Sequence, residues 1–163
     1  MNVLIVDDQP SSRMILRCVL QKMDLELRVH EFGDPVEALC WTEQHRPDFV
    51  LLDYRMPGMD GLEFAKRFRL QPEHRDVPIM LVTVADDKPL RQAAAATGII
   101  EFVAKPIQPR DLHARCHNLL HLRKQSEQSK QRAAALEKEL QAAQQEVDRR
   151  ERRLVPRSGV ESR

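Results

Sequence analysis

Residues 49–61 read Phe49-Val50-Leu51-Leu52-Asp53-Tyr54-Arg55-Met56-Pro57-Gly58-Met59-Asp60-Gly61. Four consecutive apolar residues end at an aspartate, and a Pro-Gly turn follows. A short apolar run closed by turn residues is the pattern of a strand buried on both faces. The same pattern recurs along the chain. Residues 3–6 end at Asp7-Asp8, residues 79–82 end at Thr83, and residues 99–103 end just before Lys105-Pro106. Residues 25–32 read as a further strand by alternation, with Leu25, Leu27 and Val29 set against Glu26, Arg28 and His30.

Helical patterns fill the intervals. Residues 11–23 carry Met14, Ile15, Cys18, Val19 and Leu20 at helical spacing. Asp34-Pro35-Val36-Glu37 is a helix start, with an Asp cap, Pro at the first position and Glu three residues after the cap. Residues 61–70 are helical, with Leu62, Phe64, Ala65 and Phe68. Residues 89–97 are helical and stop at Gly98, a residue suited to the left-handed cap. Residues 110–155 contain neither Pro nor Gly. An unbroken helix there runs about 69 Å, longer than a compact domain, so part of it projects or pairs with a second chain.

Five strands alternating with five helices predict an α/β fold: a five-stranded parallel, doubly wound sheet followed by a long C-terminal helix. Ligands of such sheets bind beyond the carboxyl ends of the strands. Asp7, Asp8, Asp53, Thr83 and Lys105 stand at those ends. Three carboxylates repel one another unless a cation lies among them, and hard oxygen donors on an open edge suit Mg²⁺. A lysine and a hydroxyl suit a phosphoryl group. An aspartate in such company can be the nucleophile of an aspartyl-phosphate. The constellation points to phosphoryl transfer onto a carboxylate.

The motifs VLIVDDQ (3–9), LLDYRMPGMDG (51–61), MLVTV (80–84) and FVAKP (102–106) resemble the receiver domain of two-component response regulators. The intervals of 30 residues from Asp53 to Thr83 and 22 from Thr83 to Lys105 also match. The resemblance covers about 120 residues and implies a flavodoxin/CheY-like sheet. It implies that Asp53 accepts a phosphoryl group from a sensor histidine kinase. Asp8, Asp53 and the Arg55 carbonyl would ligate Mg²⁺, with Asp7 acting through water. Thr83 and Lys105 would contact the phosphoryl oxygens, and Phe102 would be the switch aromatic. The Lys105-Pro106 bond would be cis. Two departures stand out. Val84 is larger than the family's usual Ala or Gly, which bears on access to Asp53. Arg55 lies where the family varies, which bears on phosphoryl lifetime.

Read singly, these residues have plainer roles. Asp53 suits a turn, Asp7-Asp8 a helix cap, Thr83 an ordinary strand and Phe102 a core position. Lys105-Pro106 suits a strand end. It is their joint register that favours the site.

A heptad can be laid from residue 119 onward. Its a positions include Leu119, Ala133, Leu140, Val147 and Leu154, and its d positions include Leu122, Leu136 and Ala143. Ser126, Ser129 and Arg150 interrupt it. Of the flanking pairs, Arg132 with Glu137 attracts and Glu146 with Glu151 repels. The expected organisation is a receiver domain over 1–120, a coiled-coil linker over 121–155 forming a parallel homodimer, and a disordered tail over 156–163. Residues 154–159 resemble a thrombin-cleavage cassette, and a native tail is the other reading. The alternative for the helix is a solvated element without a partner. His113, His117 and His121 share one helical face without a carboxylate or Cys to complete a metal site, so a solvated or interface stripe is expected. The basic run 149–153 reads as a helix end.

The linker resembles those of receivers joined to HD-GYP cyclic-di-GMP phosphodiesterases, and also those of GGDEF diguanylate cyclases. The chain itself contains no HD, GYP or GGDEF signature.

The charge balance sharpens the division. The 163 residues carry a formal net charge of +1. Residues 1–120 hold 15 basic and 18 acidic side chains, whereas residues 121–163 hold 11 and 7. No global basic field for nucleic acid exists, so direct nucleic-acid binding is not expected. No apolar run approaches the roughly 20 residues of a membrane span, and the N-terminus lacks a signal peptide's basic segment. Cys18, Cys40 and Cys116 are widely spaced, which predicts reduced, mostly buried thiols and a cytoplasmic location. The functional expectation is a phosphoacceptor switch, not a turnover enzyme. The alternative is a constitutive dimerisation or adaptor module with a non-signalling pocket. An Asp-nucleophile phosphatase would resemble DxDx[TV] after the first strand, a pattern Asp7-Asp8-Gln9 does not match.

Overall fold

The computed structural model describes residues 1–84 and 88–154. The strands are β1 (Asn2–Val6), β2 (Arg28–Phe32), β3 (Phe49–Asp53), β4 (Ile79–Thr83) and β5 (Glu101–Ala104). The helices are α1 (Pro10–Leu20), α2 (Pro35–Thr42), α3 (Gly61–Arg69), α4 (Lys88–Ala96) and α5 (Pro109–Leu154). A short 3-10 turn covers Pro72–His74. All strand pairs are parallel, in the order β2-β1-β3-β4-β5. The polypeptide divides into two units, Met1–Arg123 and Lys124 onward.

Alternation along the central strands feeds two cores. Leu4, Val6, Val50, Leu52, Ile79 and Leu81 point to one face of the sheet with Phe64, Phe68 and Ala94. Val3, Ile5, Phe49, Leu51, Met80 and Val82 point to the other with Leu16, Leu20, Leu112, Cys116 and Leu120. Burial on both sides explains why these strands are unbroken apolar runs.

β2 is shorter than the alternation of residues 25–32 predicts. It is an edge strand that, among the described residues, pairs with β1 alone, and β1 begins at Asn2 opposite Arg28. Residues 25–27 therefore have no ladder to join, although Leu25 and Leu27 still pack on the second core. α1 likewise stops at Leu20, short of residue 23. The N–H groups of Lys22 and Met23 turn to Val19 and Leu20 carbonyls, a 3-10 tightening that ends the helix.

The Asp34 cap is present, with Oδ1 accepting from the Val36 N–H at 2.7 Å. After α4, Gly98 adopts φ +77°. The N–H groups of Gly98 and Ile99 bond to the carbonyls of Ala95 and Ala94. That is a Schellman arrangement, and it places Ile99 in the cap, so β5 starts two residues later than the apolar run. The Lys105-Pro106 bond is cis.

The thiols correct an expectation. Cys116 is buried, but Cys18 and Cys40 are exposed. Both lie on outward faces of short helices whose buried stripes are supplied by Leu16, Val19 and Leu20 in α1 and by Ala38 in α2.

α5 joins the first unit through Leu112, Cys116 and Leu120, which repeat every four residues and are fully buried. Arg123 is 5% exposed and its Nη1 donates to the Asp76 carbonyl at 3.1 Å. The first unit therefore extends to residue 123, where the sequence reading closes it at 120. In the second unit, the side chains of residues 128–150 are all exposed. The Leu154 side chain and residues 155–163, including the cassette and tail, lie outside the described residues. Among the described residues no helix is long and apolar enough to cross a membrane.

Candidate functional site

Parallel strands bring Asp7 and Asp8 from the end of β1 beside Asp53 from the end of β3. One carboxylate oxygen from each lies within 4.8 Å of the others. Asp7 is fully buried, Asp53 is 4% exposed and Asp8 is half-buried. Lys105, in the turn after β5, reaches across this edge. Its Nζ lies 2.9 Å from Asp53 Oδ1 and 3.1 Å from Asp7 Oδ2.

The three carboxylates are not equivalent. Asp7 Oδ1 accepts from the Gln9 N–H at 2.9 Å, and Oδ2 accepts from both Ser12 Oγ and Lys105. The Asp7 carbonyl accepts from Arg13 Nη1 at 2.7 Å. Asp8 Oδ1, in contrast, is buried with no hydrogen-bond partner among the described residues. A buried carboxylate oxygen left this way is costly. It fits a hard cation, and an all-oxygen donor set fits Mg²⁺.

Electrostatics follow the packing. Burial pushes the Asp53 carboxyl above its usual range. Lys105 pulls it back down, while Asp7 and Asp8 push it up again. For Lys105, burial alone would lower the ammonium's affinity for its proton, but Asp53 and Asp7 outweigh burial and raise it.

Gly61 matters here because of a close approach. A Cβ at this position would stand 2.5 Å from the Asp53 carbonyl oxygen. The Gly61 N–H bonds to the Tyr54 carbonyl at 2.9 Å, which closes the turn carrying the aspartate.

The remaining expected residues fall around the same edge. Thr83 is buried at the end of β4, and Val84 beyond it is 61% exposed. Arg55 is exposed in the β3–α3 turn. Phe102 is half-buried against the first core, with the Arg91 guanidinium 5.1 Å from its ring centre. Thr83 and Phe102 line one cavity of about 220 Å³.

The linker positions divide. Leu119 packs against the second core, whereas Leu122 is exposed. Ala133, Leu136, Leu140, Ala143 and Val147 are exposed along the second unit. Adjacent rings of His113, His117 and His121 are 6.1 and 4.4 Å apart between centres. Among the described residues, the group of three potential metal ligands whose atoms converge is that of the three aspartates.

Ser12 was not singled out by the sequence. It stands at the third position of α1, from which a short hydroxyl reaches back to a residue just before the helix. Position relative to the Pro10 helix start is the signal that could have found it.

The family profile for the response regulator receiver domain matches residues 3–117. The chain belongs to this family. The receiver is 57% identical over 157 residues to the cyclic di-GMP phosphodiesterase response regulator RpfG of Xanthomonas campestris pv. campestris, covering 96% of this chain and 42% of that protein. It is 31% identical over 133 residues to the response regulator PleD of Caulobacter vibrioides, covering 82% of this chain and 29% of PleD. The chain thus spans less than half the length of either relative. Among solved structures, the Vibrio cholerae chemotaxis protein CheY4 is 31% identical, with a TM-score of 0.67 over 72% of this chain and 97% of that one.

Proposed function

We propose that the receiver takes a phosphoryl group from a sensor histidine kinase onto Asp53 with Mg²⁺, and passes the change through a dimeric helical linker to an effector of cyclic di-GMP signalling. The observation that carries this reading is the division of labour among the aspartates. Asp7 accepts from three protein donors, Asp53 holds Lys105, and Asp8 presents a buried oxygen with no hydrogen-bond partner among the described residues.

Mg²⁺ would be held by Asp8, Asp53 and the Arg55 carbonyl, with Asp7 behind a water. Bound there, it would offset the negative charge of carboxylates and phosphoryl oxygens. Asp53 supplies the nucleophile: its carboxylate oxygen forms the P–O bond as the donor's P–N bond breaks, and the departing imidazole keeps the electron pair and takes up a proton. Lys105 then trades its bond to Asp53 for the incoming phosphoryl oxygens, and the Thr83 hydroxyl donates to another. Phe102 and Thr83 line the same cavity, so a shift of Thr83 would change the space open to the ring.

The output rests on the linker. Leu122, Leu136, Leu140 and Val147 are each at least 54% exposed. An apolar stripe of this kind on a helix gains by meeting a second copy. The likeness to RpfG covers 96% of the chain and so continues through this linker, which supports the same signalling class.

The coupling is tested by sedimentation with and without Mg²⁺ and beryllofluoride, a phosphoryl mimic. A changed dimer affinity is expected. Binding of the mimic with unaltered dimer affinity would favour the constitutive dimerisation module.

A further inference from the structure

We propose that Ser12 is a positioning residue for the chemistry at Asp53, an inference that rests on the phosphoacceptor reading above. Ser12 is 6% exposed, and its hydroxyl donates to Asp7 Oδ2. The same oxygen accepts from Lys105 Nζ at 3.1 Å, and Lys105 in turn lies 2.9 Å from Asp53. Ser12, Asp7, Lys105 and Asp53 therefore form one connected chain of polar contacts, of which only the last residue is the nucleophile.

Asp7 is fixed at both oxygens. The Gln9 N–H holds Oδ1, and Ser12 holds Oδ2 from the first turn of α1. Both bonds oppose rotation of the carboxylate about its side-chain bonds. It then presents one oxygen to Lys105 in a set direction, and Asp8 and Asp53 are the carboxylates that would be left to hold the cation. Hydrogen bonds to charged groups in sites of this burial are among the stronger ones, because water does not compete for them. Removing the hydroxyl leaves Oδ2 to Lys105 alone. The carboxylate is then held by the Gln9 N–H and Lys105 and no longer by α1, so Lys105 is drawn toward Asp7 and away from Asp53, and the geometry at the nucleophile loosens. The hydroxyl of Ser12 is bonded to Asp7, so the effect of position 12 passes through Asp7.

The test compares wild type, Ser12→Ala and Ser12→Thr by two measurements. One is Mg²⁺ affinity by titration calorimetry, and the other is the rate of phosphoryl uptake from acetyl phosphate. Ser12→Ala should bind Mg²⁺ several-fold more weakly and take up phosphate roughly tenfold more slowly, with an unchanged melting temperature or a modest loss. Ser12→Thr keeps the hydroxyl and should restore both. If the alanine variant does not fold, Ser12→Cys, with a weak donor of similar size, replaces it and should show the same deficit. Ala or Cys indistinguishable from wild type in both measurements overturns the proposal, as does Thr as defective as Ala. A wild type that never takes up phosphate sinks the parent reading instead.

Discussion

Lys105 Nζ stands 2.9 Å from the Asp53 carboxylate, and the two side chains are 14% and 4% exposed. The ammonium also touches Asp7, so one cation serves two buried carboxylates. Removing one partner of a buried pair strands the other. Lys105→Met should lower stability in metal-free buffer by about 3 kcal/mol, read as a lower urea midpoint. An unchanged midpoint would mean that water already screens the site.

Asp53 has a raised pKa, chiefly through burial. The folded state thus binds its proton more tightly than the unfolded chain does. The stability from this group is fully present below the unfolded value and is lost as pH rises through the higher folded value. Asp53→Asn cannot ionise, so without metal it should melt above wild type at neutral pH. The gap should close as pH falls to about 3.8, the ordinary carboxyl value. Added Mg²⁺ should raise wild type more than the Asn variant. Thermal melts across pH 3 to 8 check both.

The thiols should separate by environment. Burial pushes Cys116 up to about 12, and it is shielded by the second core. Cys18 and Cys40 are exposed. Brief iodoacetamide treatment near pH 8 should label these two and spare Cys116, because the thiolate is the reactive form. Labelling of Cys116 should appear only in denaturant. Peptide mass mapping distinguishes the sites.

Leu140 is 66% exposed in the second unit. In a paired helix its burial contributes about 2 kcal/mol per chain. Leu140→Ala should therefore weaken the dimer by more than tenfold in sedimentation, and the melting of residues 1–123 should not move. Equal dimer affinity would place the interface elsewhere.

Much of this was legible from the sequence, and for physical reasons. Strands buried on both faces leave apolar runs, so β1, β3 and β4 appear with little error. The placement of the candidate site is legible because parallel strands deliver their carboxyl ends to one edge, which makes Asp7, Asp8, Asp53, Thr83 and Lys105 neighbours by topology. Gly98 marks its helix end because a positive φ favours glycine. What failed depended on partners. The start of β2 is set by where β1 begins, and no local pattern contains that. The exposure of Cys18 and Cys40 depends on which face of a short helix meets the sheet. Leu119 fits the heptad, yet its surroundings are the second core. Ser12 escaped notice because its value lies in one contact to Asp7, not in any periodicity.

The most direct test of the central claim is intact mass after incubation with acetyl phosphate and Mg²⁺. The account predicts a gain of one phosphoryl group that is lost with EDTA present and absent from Asp53→Asn. No gain in wild type, or a gain of the same size in Asp53→Asn, would contradict it.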